Sequence, residues 1–300
     1  MTSGAGGTGE AHPSRGLGAS KPGLAPGLYL VATPIGNLGD ITLRAIEVLR
    51  GADRICAEDT RVTARLLARY GIRKPLEPYH DHNAEAARPK VLAALRRGER
   101  VALVSDAGTP LVSDPGYKLV RAAIAEGIAV SAAPGPSAAL TALVLSGLPP
   151  DAFFFGGFLP PRSAARRRVL AAHKGLAATL VFFEGPSRLA AALADMAEML
   201  GDRPAAVARE LTKLHEEVRR GRLAELAAHY RETGPPKGET VVVVGPPEPV
   251  AREARDIDAR LEAALERYGV REAASQVAAE LGLQRRLLYR RALELERARG

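Results

Sequence analysis

The chain has 300 residues, enough for two domains and an appendage, and 46% of them are hydrophobic, which supplies real cores although tryptophan is absent. Lys and Arg number 42 against 34 Asp and Glu, a formal net charge of +8, and such a balance favours polyanions such as RNA, DNA or an acidic membrane surface. The single cysteine, Cys56, excludes a disulfide framework and a cysteine zinc site. No apolar run is long enough to span a bilayer and the N-terminus has no signal-peptide core, so a cytoplasmic protein without a membrane partner is expected.

Residues 1–26 are rich in Gly, Ser, Ala and Pro without periodicity and read as a disordered tail. Order is expected from residue 27, where Leu28 to Ala32 form a buried strand. Next, "DITLRAIEVLRGA" brings Ile41, Leu43, Ile46 and Leu49 near one helical face and stops at Gly51. A short strand "RICAED" leads to the helix "TRVTARLLARYGI", with Thr60 as N-cap and Gly71 as stop. A further helix is expected after Pro89, then the strand "RVALV", a long loop, a helix from Tyr117 to Glu126, the strand "IAVSAA" and a helix capped by Ser137. Such alternation implies parallel strands with crossover helices, so residues 27–150 read as one α/β domain.

The stretch "PPDAFFFGGFLPPRSAARRR" reads as a junction ending in a basic loop. Beyond it, "TLVFFE", "AAVARE", "HEEVRRG" and "ETVVVVG" are strands separated by helices, a second α/β domain over residues 151–246. "PPEPV" is a linker. Residues 255–300 form a helical C-terminal module. In it "SQVAAELGLQRRLLYRRAL" has helix-turn-helix spacing, with a first helix from Ser275 to Leu281 and a seam of Val277, Leu281, Leu283, Leu287 and Leu288.

Chemistry is concentrated at strand ends, where open α/β sheets bind ligands. "TPIGNLGDIT" is a Gly-containing strand-to-helix turn but neither a dinucleotide fingerprint nor a phosphate loop. "VSDAGTPLVSDPG" holds Asp106, Thr109, Ser113 and Asp114 among Gly and Pro without any Lys. Acids and hydroxyls suit an adenosine ribose or a cationic sulfonium, whereas the plain alternative is turn and helix capping, with Asp114 capping the next helix. "APGPSAAL" is a third such loop. "AEDTR" and "YHDHN" offer Glu58, Asp59, Arg61, His80, Asp81 and His82 as a general base or RNA contacts. The HDH triplet alone is a weak metal signal, and no metal is expected. "RELTKLHEE" carries Glu210, Lys213 and Glu216, and Arg162, Arg166, Arg167 and Arg168 suit phosphate contact.

Eight motifs in order, "LYLVATPIGNLGDITLRA", "AEDTR", "HDHN", "VSDAGTPLVSDPG", "PGPSA", "GFLP", "ARELTK" and "KGETVVVV", resemble the small-subunit ribosomal RNA 2′-O-methyltransferase I family of the tetrapyrrole-methylase superfamily. The resemblance implies two α/β domains with a donor cleft between them, a homodimer, and S-adenosylmethionine as methyl donor. The implied reaction is methyl transfer to the ribose 2′-hydroxyl of a cytidine in the decoding centre of 16S rRNA, free or in the small ribosomal subunit, with no DNA partner. Carried residue by residue, donor binding falls on Pro34, Ile35, Gly36, Asp106, Gly108, Thr109, Val112, Ser137 and Ala138, with Phe183 and Glu184 from the second domain. Tetrapyrrole relatives read Gly-Asp-Pro where this chain has Gly108-Thr109-Pro110. Asp59 and Glu210 are candidate bases, and Lys213 or Arg61 would stabilise the alkoxide. Arg162, Arg166, Arg167, Arg168, Arg285 and Arg286 are candidate RNA contacts. The competing readings are a precorrin- or uroporphyrinogen-type C-methyltransferase and a non-catalytic RNA-binding protein; the basic tail argues against the first and the intact polar loops against the second.

Overall fold

The computed structural model describes residues 23–247 and 251–299. The tail expected over 1–26 lies outside the described residues as far as residue 22. From there the chain is engaged with the fold, because Leu24 packs on the first core and the Tyr29 hydroxyl donates to the Ala25 carbonyl. Part of the "PPEPV" linker is likewise outside the described residues. The described chain falls into two units; the division lies between Thr141 and Ala142, and Glu210–Glu216 go with the first unit. Both units are α/β, and the second also takes in the C-terminal helices.

The first unit is a five-stranded sheet in the order β3-β2-β4-β1-β5, from β1 (Gly27–Val31), β2 (Arg54–Ala57), β3 (Leu76–Pro78), β4 (Arg100–Val104) and β5 (Val130–Ala133). All four pairings are parallel. Parallel strands need crossovers that cover the faces, which is why β4 reads as a continuous apolar run. The crossovers are α1 (Leu43–Gly51), α2 (Thr60–Arg69), α3 (Ala84–Arg96) and α4 (Tyr117–Ala125), and α5 (Ala138–Ser146) follows β5. Cys56, on the inner strand β2, is buried.

Local chemistry moves several expected boundaries. Thr42 caps α1 by accepting from the Ala45 N–H, so Leu43 is the first helical residue and is 81% exposed instead of sharing the buried face of Ile46 and Leu49. Asp59, not Thr60, caps α2: its carboxylate accepts from the Arg61 N–H. Helix α3 begins five residues before Pro89 and carries the proline inside it, so the Glu85 carbonyl loses its usual partner. Gly116, not Asp114, precedes α4.

The second unit is a mixed sheet in the order β6-β7-β10-β8-β9. Its strands are β6 (Phe153–Phe158), β7 (Thr179–Glu184), β8 (Pro204–Arg209), β9 (Glu217–Arg222) and β10 (Thr240–Val244). Only β6 and β7 pair in parallel. The phenylalanine cluster taken for a junction is therefore edge strand β6, interrupted by a register shift between Phe155 and Phe158. A Cβ on Gly156 would stand 2.4 Å from the Phe182 ring, so the glycine that blurs the strand pattern is what lets β6 close on the sheet. The basic loop is also corrected: it is α6 (Ser163–Ala172), which with α7 (Leu189–Leu200) and α8 (Leu223–Thr233) packs on this sheet.

The C-terminal helices are α9 (Ala251–Leu265), α10 (Val270–Leu281) and α11 (Arg285–Arg299). They share a core of their own built on Leu261, Ala274, Val277, Ala278, Leu288 and Ala292. Helix α10 starts at Val270, after the N-cap Gly269 and before the expected Ser275, whose hydroxyl donates back to the Arg271 carbonyl. Gly282 makes the left-handed turn. Leu283 and Leu287 are exposed and leave the expected seam. Among the described residues no helix is long and apolar enough to cross a membrane.

Candidate active site

Four loops of the first unit meet beyond the C-terminal ends of its strands. Thr33, after β1, and Gly108, after β4, exchange backbone hydrogen bonds of 2.9 and 3.0 Å, and the Thr33 hydroxyl donates to the Ser105 carbonyl at 3.1 Å. Thr109 Oγ1 donates to the Pro136 carbonyl at 3.4 Å, which adds the loop after β5. The fourth is Glu210–Glu216. Thr212 Oγ1 accepts from the Asn37 N–H at 3.1 Å, and the Lys213 stem lies so close to Gly36 that a Cβ there would stand 2.5 Å from Lys213 Cγ. Leu214, at the tip, is 92% exposed.

These loops are also where the backbone is strained. Among the described residues, the non-glycine residues with positive φ are Leu111 (73°), Ser113 (68°), Glu210 (49°) and Thr212 (64°), all in two of the four loops. Each such residue costs about 1–3 kcal/mol, and strain of this kind collects at ligand clamps and active sites.

The carboxylates here have different surroundings. Asp59 accepts from the Arg61 N–H at 2.8 Å and takes the Arg61 guanidinium on both oxygens, the closest contact 2.6 Å. The hydrogen bonds from Arg61 hold its pKa down at about 2. Glu210 Oε1 accepts from Lys213 Nζ at 2.9 Å. Asp106 Oδ1 accepts from the Asp59 N–H at 2.8 Å, which ties the end of β4 to the end of β2. Glu58 sits between these groups, half-buried; burial first, then Asp114, Asp106, Asp81 and Asp59, push its pKa up to about 7. Asp114 is pushed up to about 6 by burial, opposed by a hydrogen bond from Ser105 and helped by Asp106 and Asp81.

Of the residues expected to bind the donor, Pro34, Ile35, Gly36, Asp106, Gly108, Thr109, Val112, Ser137 and Ala138 all lie on this loop cluster. Lys213 and Glu210 join it through the fourth loop, a placement no local pattern announced. Asp59 and Arg61 stand at its β2 side, paired with each other. Phe183 and Glu184 lie in the second unit at the end of β7. Phe183 packs edge-on against Phe155 and Phe158. Glu184 is buried, with Oε1 accepting from the Gly185 N–H and Arg188 Nε and Oε2 without a hydrogen bond among the described residues.

The arginines separate into two kinds. Arg166 is 3% exposed; its Nε donates to Asp195 Oδ2 at 2.8 Å and its Nη1 to the carbonyls of Pro160 and Pro161. A guanidinium enclosed in this way has no face left for a phosphate, so the RNA-contact expectation at Arg166 is corrected to a structural role. Arg167 is bound to Asp195 and Glu198. Arg162, Arg168, Arg285 and Arg286 are exposed.

Comparison with known proteins gives the family and the fold. The family model of tetrapyrrole (corrin/porphyrin) methylases matches residues 27–227, and that described as the RsmI C-terminal HTH domain matches residues 251–296. Proteins named ribosomal RNA small subunit methyltransferase I are similar over most of the chain. That of Mesorhizobium japonicum is 56% identical over 92% of this chain and 95% of its own. That of Erythrobacter litoralis is 54% identical over 91% and 96%, and that of Escherichia coli O157:H7 is 45% identical over 89% and 94%. Among solved structures, a diphthine synthase superposes with a TM-score of 0.57 at 18% identity over 73% of this chain and 89% of its own. A uroporphyrin-III C-methyltransferase from Thermus thermophilus does so with a TM-score of 0.51 at 26% identity over 73% and 93%.

Proposed function

The chain belongs to the small-subunit ribosomal RNA methyltransferase I family of the tetrapyrrole methylases, and from that membership we propose that it transfers a methyl group from S-adenosylmethionine to the ribose 2′-hydroxyl of a cytidine in the decoding centre of 16S rRNA. The observation that carries the reading is the loop cluster joined by Thr33, Gly108, Thr109 and Pro136. None of the three strand-end loops in it contains a Lys or Arg, so these three loops are not built for a phosphate. Its acids suit a cationic ligand with ribose hydroxyls. Asp106 commits one oxygen to the Asp59 N–H, and its other oxygen would be committed to a donor hydroxyl. These residues fit the donor.

When bound, S-adenosylmethionine supplies a methyl group already activated on a cationic sulfur. The protein's work is then largely positioning, which by itself supplies a large part of such a rate enhancement. Pro34 to Gly36, Asp106 to Val112, and Ser137 with Ala138 would hold the donor. Lys213 would stabilise negative charge on the attacking oxygen. The exposed Arg162, Arg168, Arg285 and Arg286 would contact RNA phosphates, which fix register without reading sequence. The enzyme would work in the cytoplasm as a homodimer. Mass spectrometry of 16S rRNA fragments from a strain lacking this chain tests the reading: one 2′-O-methylated cytidine should disappear and return on complementation. Persistence of every methyl group would overturn it.

A further inference from the structure

Methyl transfer to a hydroxyl needs somewhere for the hydroxyl proton to go, and most acids near the loop cluster are already committed. Asp59 caps α2 and holds Arg61. Glu210 is paired with Lys213. Asp106 is tied to the Asp59 N–H. Glu58 differs. It is the first residue after β2, whose neighbours in the sheet are β4, source of the Ser105–Gly116 loop, and β3, source of the Asp81 turn. The backbone on both sides is pinned, by Asp59 N–H to Asp106 on one and by the Tyr79 N–H to the Ala57 carbonyl at 2.7 Å on the other. The acids of the adjoining strand exits that act on Glu58 are Asp114 and Asp106 from the β4 loop, Asp81 from the β3 turn and Asp59 from its own strand end. All are acids, and the nearby guanidinium of Arg61 is held by Asp59.

We propose that Glu58 is the general base of the transfer, a role that rests on the methyl-transfer reading above. The proton of the acceptor 2′-hydroxyl passes to a Glu58 carboxylate oxygen. The hydroxyl oxygen's electron pair forms the new bond to the methyl carbon, and the methyl–sulfur pair stays on sulfur, leaving a neutral thioether. Glu58 then releases its proton to water. Half-burial and four acidic neighbours raise the proton affinity of this carboxylate into the range that general bases use near neutral pH, whereas Asp59, held low by Arg61, is a poor acceptor.

The test uses the full-length chain with Glu58→Gln and Asp114→Asn. Carboxyl carbon NMR of the wild type without donor should give Glu58 a midpoint far above the ordinary carboxylate range; a midpoint within that range would overturn the proposal. Single-turnover methylation of small-subunit RNA from about pH 5 to about pH 9 should slow by about a hundredfold or more in Glu58→Gln and lose its acidic limb. S-adenosylmethionine affinity by calorimetry should stay within about twofold, which shows that the site still folds. In Asp114→Asn the acidic limb should move to lower pH, because removing a neighbouring negative charge eases ionisation of Glu58. A Glu58→Gln variant with wild-type rate or an unchanged limb would overturn the role. A wild type that binds donor but methylates no RNA would overturn the function beneath it, and the role with it.

Discussion

Replacing Arg166 with Met tests whether its charge serves the fold or a ligand. The guanidinium is buried, with Asp195 Oδ2 at 2.8 Å from Nε and 2.6 Å from Nη2, and Asp195 is itself almost enclosed. Breaking a buried pair by removing one partner costs about 3–5 kcal/mol. Asp195 would keep Ser163 Oγ at 2.9 Å and Arg167 Nε at 2.7 Å, so the loss belongs at the lower end, about 3 kcal/mol. Urea unfolding at neutral pH should show that loss as a lower midpoint with an unchanged slope. The double variant Arg166→Met with Asp195→Leu should recover most of it, because no buried charge is then stranded. Acid should narrow the gap. Burial pushes the Asp195 pKa up, but hydrogen bonds from Arg167, Ser163 and Arg166 outweigh it and leave it below the ordinary 3.8. Its contribution is therefore present above that value and lost as pH falls through the lower folded-state pKa. A single variant with wild-type stability but weakened RNA binding would refute the structural role.

Gly36→Val would push a side chain into the Lys213 stem, 2.5 Å from Cγ at the Cβ alone; single-turnover methylation should fall by about a hundredfold, and an unchanged rate would detach the fourth loop from the site. Asp59→Ala removes the α2 cap and should cost about 1 kcal/mol in urea unfolding. Its methylation rate should stay within about tenfold of wild type, since the proton acceptor is elsewhere. Arg285→Ala combined with Arg286→Ala should flatten the dependence of log K for RNA on log salt by about two, with donor calorimetry unmoved; an intact slope would return α11 to ordinary solvated surface.

Features written into short stretches were legible in the sequence. Buried apolar runs located β1, β4 and β10, and the Gly- and Pro-containing strand exits located the three loops, because both signals depend only on neighbours along the chain. What failed depended on distant partners. Nothing in "RELTKLHEE" announces that Thr212 will accept from Asn37. "RSAARRR" looks solvated until Asp195, twenty-nine residues beyond Arg166, is placed beneath it. Strand β6 was hidden by Gly156, a residue that weakens the local pattern while fitting the Phe182 ring. Glu58 was visible as an acid, but its raised proton affinity comes from burial first and then from Asp114, Asp106 and Asp81 on other strand exits.

The burial of Cys56 has a practical consequence. Its thiol is pushed up to about 12, chiefly by burial, and the thiolate is the species that alkylating reagents attack. The native chain therefore offers such reagents almost nothing at neutral pH. A cysteine introduced at Leu214, the exposed tip of the strained fourth loop, would be the single reactive thiol of the protein. A fluorophore attached there would report motion of that loop when donor or RNA binds, with no background-cysteine substitution to make first.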